Sequence, residues 1–400
     1  MSRSRKSREA RANAPRGEST VAARFHQLVN PASLILVCAI GLTLLGLTVL
    51  FSASQSYQSD PYFYVRKQIT WLGVALLVGF LAARVNLEKL RALTWWFVAI
   101  ALLGLVAVAI PGVGVEVNGS RRWLDIGIGR LQVSEFAKLV MVFGLAHYLS
   151  ANLSRIRTFW RGFALPLAGV GVFCLLILLE PDFGTAMLTG AVGTTMMLLA
   201  GVRLLYLVPS VLAGAGLLSL AIYLDPVRLA RITSFLDVEA NRSDGAYQLW
   251  QAILAFGAGG VEGVGIGNGR QQMAFLPEAH TDFIFAIVGE ELGLTFTLAV
   301  VIAFLLIFLA GILHLRRAPN LFQFLLVAGS LLLLTLQAII NLGVVTGLLP
   351  TKGMSLPFIS YGGSNLLLMA MIVGLMINTQ TAWSRPVLRD SERGLKEVAI

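Results

Sequence analysis

The sequence predicts an all-α polytopic membrane protein of about ten transmembrane helices. Three observations carry that expectation. Hydrophobic residues fill 56% of the 400 positions and charged residues only 13%, against about 25% charged in an ordinary soluble domain. Apolar runs of about 20 residues, long enough to cross a bilayer as a helix, recur along the chain. The mean hydropathy is +0.78. Cys38 and Cys174 both lie within apolar runs, so buried free thiols are expected and a disulfide framework is not. The basic start runs for about thirty residues with no small-residue cleavage site after the first apolar run, so no cleavable signal peptide is expected.

Three regions follow from composition. Residues 1–30 hold seven basic side chains (Arg3, Arg5, Lys6, Arg8, Arg11, Arg16 and Arg24) among Pro, Ser and Gly. That pattern is a disordered tail, and beside a first span it acts as a topology anchor drawn to anionic lipid. The net charge of +10 therefore does not point to nucleic acid. Residues 31–384 form the membrane domain, and residues 385–400 form a C-terminal tail.

The spans follow in order. The first, 33–54, is almost unbroken aliphatic sequence after the basic tail. Spans 68–83 and 93–111 flank a short basic connection with Arg84, Lys89 and Arg91. The fourth, 134–150, carries Glu135 and Lys138 three residues apart, on one helix face. Spans 162–179 and 183–200 are separated by a tight turn at Pro181. Span 204–224 leads into the largest connection, about 225–281, and spans 282–312, 320–349 and 363–383 complete the set. Twenty of the 31 Lys and Arg residues fall in the tails and the connections on the tails' side. By the positive-inside rule that side is cytoplasmic. Trp71, Trp123 and Trp383 stand near predicted span ends, as interfacial anchors do. A connection as long as 225–281 is usually functional or disordered. This one contains YQLWQAILAFGAGG, read as a short helix on the membrane surface.

Polar residues concentrate in the outward connections. NGSRRWLDIGIGRLQVSEFAK (118–138) opens on the turn signal Asn118-Gly119 and supplies Arg121 and Arg122, two forks suited to phosphate or lipid headgroups. Glu135 and Lys138 can form a structural pair that lets both charges enter the bilayer. In EPDFGT (180–185), Asp182 can cap the following helix, whereas nothing structural demands an acid at Glu180. GAGGVEGVGIGNGRQQ (257–272) has seven glycines in its first thirteen residues. It lacks the strand and helix context of a dinucleotide loop, so its glycines are read as permitting close backbone approach. TKGMSLPFISYGGSN (351–365) carries Lys352, Ser355, Ser360, Tyr361 and Ser364 on irregular backbone, which at a membrane surface is tolerated where it lines a cavity. Lys352 either faces that cavity or snorkels.

LPEAHTDFIFAIVGEELG (276–293) places Glu278, His280 and Asp282 at the mouth of a span, with Glu290 and Glu291 inside it. Thr281 or Asp282 can cap the helix. An ionised acid in mid-bilayer costs about 2.5–3.5 kcal/mol, so Glu290 or Glu291 is expected to meet a partner, either Lys138 or a backbone group. Together Arg121, Arg122, Asp182, His280, Asp282 and Lys352 describe an outward polar cavity. Its cations suit an anionic ligand, and its carboxylate suits proton transfer.

These stretches resemble the SEDS family (shape, elongation, division, sporulation) of bacterial cell-wall proteins over about residues 33–384. The most specific match is LPEAHTDFIFAIVGEELG, supported by NGSRRWL, PDFGT, GIGNGRQQ and PFISYGGSN. Ala279, Lys352 in PTKG and the long basic N-terminal tail look more like the cell-division branch than the elongation branch. Two positions depart from the family: Glu180, where Gln is frequent, and Val133, where Pro is common.

The resemblance implies a peptidoglycan glycosyltransferase of septal cell-wall synthesis. Such an enzyme polymerises lipid II into β-1,4-linked strands with inversion at the anomeric carbon. It works in the cytoplasmic membrane at the division septum, with both termini cytoplasmic. The implied partners are lipid II, a class B penicillin-binding protein transpeptidase, other division-machinery membrane proteins and membrane lipids. Asp282 is implied as the essential catalytic residue, a general base. Arg121, Arg122, Glu278, His280, Lys352, Ser360 and Ser364 are the candidate substrate-binding residues. Glu135, Lys138, Asp182, Glu290 and Glu291 are the candidate supporting polar residues. The departing pyrophosphate also admits a divalent cation, Mg or Mn, as a cofactor. A lipid II flippase is the first alternative, because many spans and intramembrane charges suit a transporter. A flippase, however, needs polar access from both leaflets, and the motif residues here collect on one side. A non-catalytic division scaffold is the second, and it would tolerate loss of Asp282.

Overall fold

The computed structural model describes residues 30–54, 60, 62–117, 120–125, 127, 129–271 and 275–383. Both tails and the Asn118-Gly119 turn expected from the sequence lie outside the described residues. The chain runs α1 (Pro31–Ser54), α2 (Phe63–Arg84), α3 (Leu87–Ala92) and α4 (Thr94–Ala109), then strands β1 (Val115–Val117), β2 (Ser120–Asp125) and β3 (Arg130–Gln132). It continues through α5 (Val133–Ala151), α6 (Leu165–Leu179, entered by a π-helical turn, Phe159–Ala164), α7 (Phe183–Leu199), α8 (Leu204–Tyr223), α9 (Pro226–Leu236) and α10 (Tyr247–Gly259). The last three helices are α11 (Ile284–Leu315), α12 (Leu321–Val345) and α13 (Gly363–Trp383).

Ten of these helices occupy the ten stretches that the apolar runs predict. Among the described residues, seven (α1, α2, α6 with its entry turn, α8, α11, α12 and α13) are long and apolar enough to cross a membrane. α4 and α7 are apolar but shorter, and α5 carries the charges of Glu135 and Lys138. Helices suit a membrane because each satisfies its own backbone hydrogen bonds without water. Two boundaries differ from the sequence reading by more than three residues. α2 begins at Phe63, five residues before position 68, and α12 stops at Val345 before Gly347, whose φ is 76°.

α5, α7 and α12 pack together at the centre, with α11 and α13 beside α12. α1 lies along α11, and α2 along α13. Small residues allow the closest approaches: a Cβ on Gly374 would sit 2.2 Å from the Gly79 carbonyl oxygen, so α2 and α13 touch through backbone. α8 is peripheral, and Leu205, Leu212 and Leu217 on it are exposed, as side chains facing lipid are. Side chains set several helix starts. Asp182 caps α7 through the Thr185 amide, Asp225 caps α9 through Val227 and Arg228, and Asn320 caps α12 through Gln323.

Three features lie beyond what the local sequence pattern predicted. The connection after α4 is a small antiparallel sheet in the order β1-β2-β3, with Glu116 opposite Arg121 and Trp123 opposite Gln132. The YQLWQ helix exists as α10, but its buried face (Leu249, Ala252, Ala255) packs chiefly on α11, while Ile253 and Leu254 stay exposed. Third, α11 is two helical pieces joined at Gly293, where φ is 73°. The glycine-rich stretch 257–271 fits against that break. Val264 and Gly265 donate their amides to the carbonyls of Glu290 and Glu291, and the Leu294 and Thr295 amides donate back to Gly260 and Val261.

The same contact explains two acids in an apolar helix. One Glu290 oxygen accepts the Arg270 amide at 2.8 Å, and its carboxylate also takes the Gln271 amide. Glu291 accepts the Gly267 amide at 3.2 Å and the Ser52 hydroxyl at 2.5 Å. Of the two partners expected for these acids, backbone groups are the ones found. Lys138 instead donates to Glu135 at 2.7 Å and to Gln337 at 3.1 Å.

Candidate active site

Four of the expected polar residues, Arg122, Asp182, Asp282 and Lys352, converge where α7 and α11 begin and α12 ends, beside the small sheet. Asp182 is at the centre and is 2% exposed. It caps α7, with Oδ1 accepting the Thr185 amide at 3.1 Å and Oδ2 the Thr185 hydroxyl at 2.9 Å. It is also flanked by two cations, Arg122 at 3.7 Å and Lys352 at 3.9 Å. Capping and charge pairing therefore hold together at this residue. The Arg122 fork is fixed by the turn itself, donating to the Glu180 carbonyl at 3.0 Å and the Pro181 carbonyl at 2.8 Å.

Lys352 reaches Asp182 across Phe183 and Gly184. Its ammonium stands 5.9 Å from the Phe183 ring centroid, and a Cβ on Gly184 would come 2.4 Å from Lys352 Cε. The glycine of PDFGT is thus the opening through which the lysine passes. Burial lowers the Lys352 pKa to about 8, although Asp182 opposes the shift. Arg122, Arg231 and Arg228 act in the same direction as burial. Arg228 and Arg231 come from α9, and Arg228 lies 3.4 Å over the Phe183 ring while pairing with Asp225. Sequence reading did not select these two arginines, since α9 comes over the site through a tertiary contact.

Asp282 sits just before α11 in a connection and is half-buried. Among the described residues, no group hydrogen-bonds its carboxylate. Burial raises its pKa to about 7, Glu278 and Asp182 add to the shift, and Arg122 and Lys352 act against it. Burial disfavours the ionised form and nearby negative charge does the same. A Cβ on Gly353 would sit 2.7 Å from Asp282 Oδ2, so the loop bearing Lys352 passes directly against this carboxylate.

The remaining candidates divide by position. Glu278 adopts a positive φ of 55° and its carboxylate takes the Thr281 hydroxyl at 2.8 Å, which tightens the turn before Asp282. His280 stacks on Tyr64 with centroids 4.5 Å apart, near Tyr361, and burial lowers its pKa. Ser360 donates to the Thr281 carbonyl at 2.6 Å and accepts the Leu356 amide. Ser364 accepts the Gln132 amide at 2.8 Å. Arg121 is not brought to the Asp182 centre: it pairs with Glu116 across the hairpin at 3.0 Å, with the two side chains 39% and 53% exposed. Gln132, 3.5 Å from Asp182, is a neighbour that sequence reading missed. It ends β3, an element with no local signature.

Glu180 is 1% exposed beneath this cluster and lies beside the Ser134 hydroxyl. Burial, followed by the repulsion of Asp182, raises its pKa to about 8 despite Ser134 and Arg122. Among the described residues, no group of three or more His, Cys, Asp or Glu side chains could hold a metal ion. These residues do not fit a dedicated divalent-metal site, and the positions facing Asp182 are taken by Arg122 and Lys352.

The arrangement can bind an anionic group between cations and take up a proton beside it. Comparison with known proteins gives this geometry a family. A "Cell cycle protein" family model covering FtsW, RodA and SpoVE matches residues 32–384. A probable peptidoglycan glycosyltransferase FtsW of Hahella chejuensis is 41% identical over 350 residues, covering 86% of this chain and 88% of the relative. A protein of the same description from Coxiella burnetii is 41% identical over 86% of this chain and 94% of its own length. Among solved structures, one chain of a peptidoglycan synthase complex, described for its coordination of polymerization and crosslinking, superposes with a TM-score of 0.73. It is 25% identical and covers 88% of this chain and 98% of its own. The rod shape determining protein RodA of Thermus thermophilus superposes with a TM-score of 0.66 at 26% identity, covering 88% and 97%. The chain belongs to the FtsW/RodA/SpoVE family of cell cycle proteins.

Proposed function

We propose that this chain is a peptidoglycan glycosyltransferase that polymerises lipid II during septal wall synthesis, with Asp282 as its general base. One observation carries the mechanism: the Asp282 carboxylate, which takes no hydrogen bond from the described residues and whose pKa burial raises to about 7, stands beside cations grouped around Asp182. In this scheme Asp282 takes the proton of the acceptor sugar's 4-hydroxyl as that oxygen bonds to the donor's anomeric carbon. The bond from that carbon to the lipid pyrophosphate breaks, and the leaving group departs with the electron pair. A single base and direct displacement invert an α-linked donor into a β-1,4 product. A general base works best with a pKa near the working pH. Arg122 and Lys352 meet the negative charge that grows on the leaving group, with Arg228 and Arg231 adding positive potential behind Lys352.

The site end faces the periplasm in this reading, with ten crossings, both termini in the cytoplasm and the protein at the division septum. The twofold excess of Lys and Arg on the other side supports that orientation. The relatives' description supports the peptidoglycan glycosyltransferase activity, and the likeness to a synthase complex that coordinates polymerization and crosslinking supports a class B penicillin-binding protein as the crosslinking partner. The test is polymerisation by the purified protein with its transpeptidase partner in detergent, where no bilayer separates two leaflets. Glycan strands made from lipid II support a polymerase. Translocation of lipid II in vesicles without strand formation supports the flippase reading.

A further inference from the structure

α12 is among the most enclosed helices, yet it carries two amides one turn apart, Gln337 and Asn341, 2% and 1% exposed. A buried amide is costly unless its hydrogens find acceptors. Asn341 finds two, and neither belongs to its own helix. Nδ2 donates to the Asp282 carbonyl at 2.8 Å and to the Met354 carbonyl at 2.6 Å. Met354 is two residues from Lys352, so one side chain holds the backbone of the Asp282 loop and that of the Lys352 loop together.

The neighbouring bonds show what this fork completes. Three consecutive carbonyls leading into α11 are each held from outside their own loop. His280 accepts the Tyr361 amide at 3.1 Å, Thr281 the Ser360 hydroxyl at 2.6 Å, and Asp282 the Asn341 amide at 2.8 Å. Gln337 makes a parallel fork one turn below, to the Ser355 carbonyl and to Asn365, both at 2.9 Å. Only the Asn341 fork touches Asp282 itself. No charge, motif or periodicity selects this residue.

We propose that Asn341 is a positioning residue of the transferase reaction: its side-chain amide fixes the separation of the Asp282 carboxylate from the Lys352 ammonium by clamping their two loops. The proposal rests on the general-base reading of Asp282. Displacing a reacting group by about 1 Å can cost about a hundredfold in rate. Asn341→Leu keeps the volume and removes both donors. It is expected to lower kcat tenfold or more, to change the KM for lipid II less than threefold, and to move the acid limb of the pH–rate profile downward as water reaches Asp282. Asn341→Ser, which keeps one donor, should fall between wild type and Asn341→Leu.

The clamp also predicts coupling. Residues that act through one contact give non-additive losses, so Asn341→Leu should cost much less in a Lys352→Ala background than in wild type. Thermal melting in detergent checks that each variant is folded, and if Asn341→Leu is not, Asn341→Ser carries the same comparisons. A folded variant with wild-type kcat and an unmoved acid limb, or with losses that simply multiply with Lys352→Ala, overturns the inference. If Asp282→Asn is inactive in that same experiment, the functional reading stands without it. If Asp282→Asn polymerises fully, it is the general-base reading that fails.

Discussion

Lys352→Arg should widen the pH range of polymerisation on its alkaline side only. In the proposed mechanism the active form has Asp282 ionised and Lys352 protonated, with pKa values raised to about 7 and lowered to about 8 by burial. Activity therefore rises with pH through about 7 and falls through about 8. With those two values, about 60% of sites carry both correct charges at about pH 7.5, and about 9% do at about pH 6 or about pH 9. The predicted profile is a narrow bell that drops about sevenfold 1.5 units to either side of its optimum. Because the two groups sense one another, the limbs belong to the pair rather than to one residue each. Arginine stays charged to above about pH 12, so Lys352→Arg should lose the alkaline limb and keep the acid one. The assay is the initial rate of glycan formation with the transpeptidase partner at constant ionic strength, measured from about pH 5.5 to 9.5. Lys352→Ala should be slower than Lys352→Arg throughout. A wild-type profile that is flat over this range, or an acid limb near about pH 4, would rule out Asp282 and Lys352 as the titrating pair.

Glu180→Gln replaces a buried acid with a neutral group of the same shape and should keep near wild-type polymerisation at neutral pH. Because folding raises the Glu180 pKa to about 8, wild type should lose stability relative to this variant as pH rises from about 4.5 to about 8, as melting temperatures in detergent will show. Gly353→Ala puts a carbon 2.7 Å from Asp282 Oδ2 and should cut kcat by about tenfold or more by moving the carboxylate. Its melting temperature should change little. Glu290→Ala strips the acceptor from the Arg270 and Gln271 amides. It should destabilise the protein by about 1–3 kcal/mol and speed protease cleavage between residues 264 and 271.

The helices were legible because their signal is local: twenty apolar residues in a row mark a span wherever they occur. The convergence of Arg122, Asp182, Asp282 and Lys352 was legible because charges at span ends are costly and all four lie at one end of the helix set. What escaped was set by distant partners. Glu290 and Glu291 look alike in sequence, and only the glycine-rich loop shows that one binds Arg270 and Gln271 and the other Gly267 and Ser52. Gly293 reads as an ordinary helix glycine until that loop supplies the hydrogen bonds its break leaves open. Arg121 and Arg122 are neighbours in sequence, but strand alternation sends one to Glu116 and the other to the Asp182 turn.

In the proposed reaction Asp282 accepts the proton when the glycosidic bond forms. The decisive experiment is single-turnover polymerisation of lipid II by folded Asp282→Asn protein bound to its transpeptidase partner. Normal lipid II binding is expected, with a rate at least about a hundredfold below wild type, in line with loss of a general base. Strand formation at the wild-type rate by that variant would contradict it.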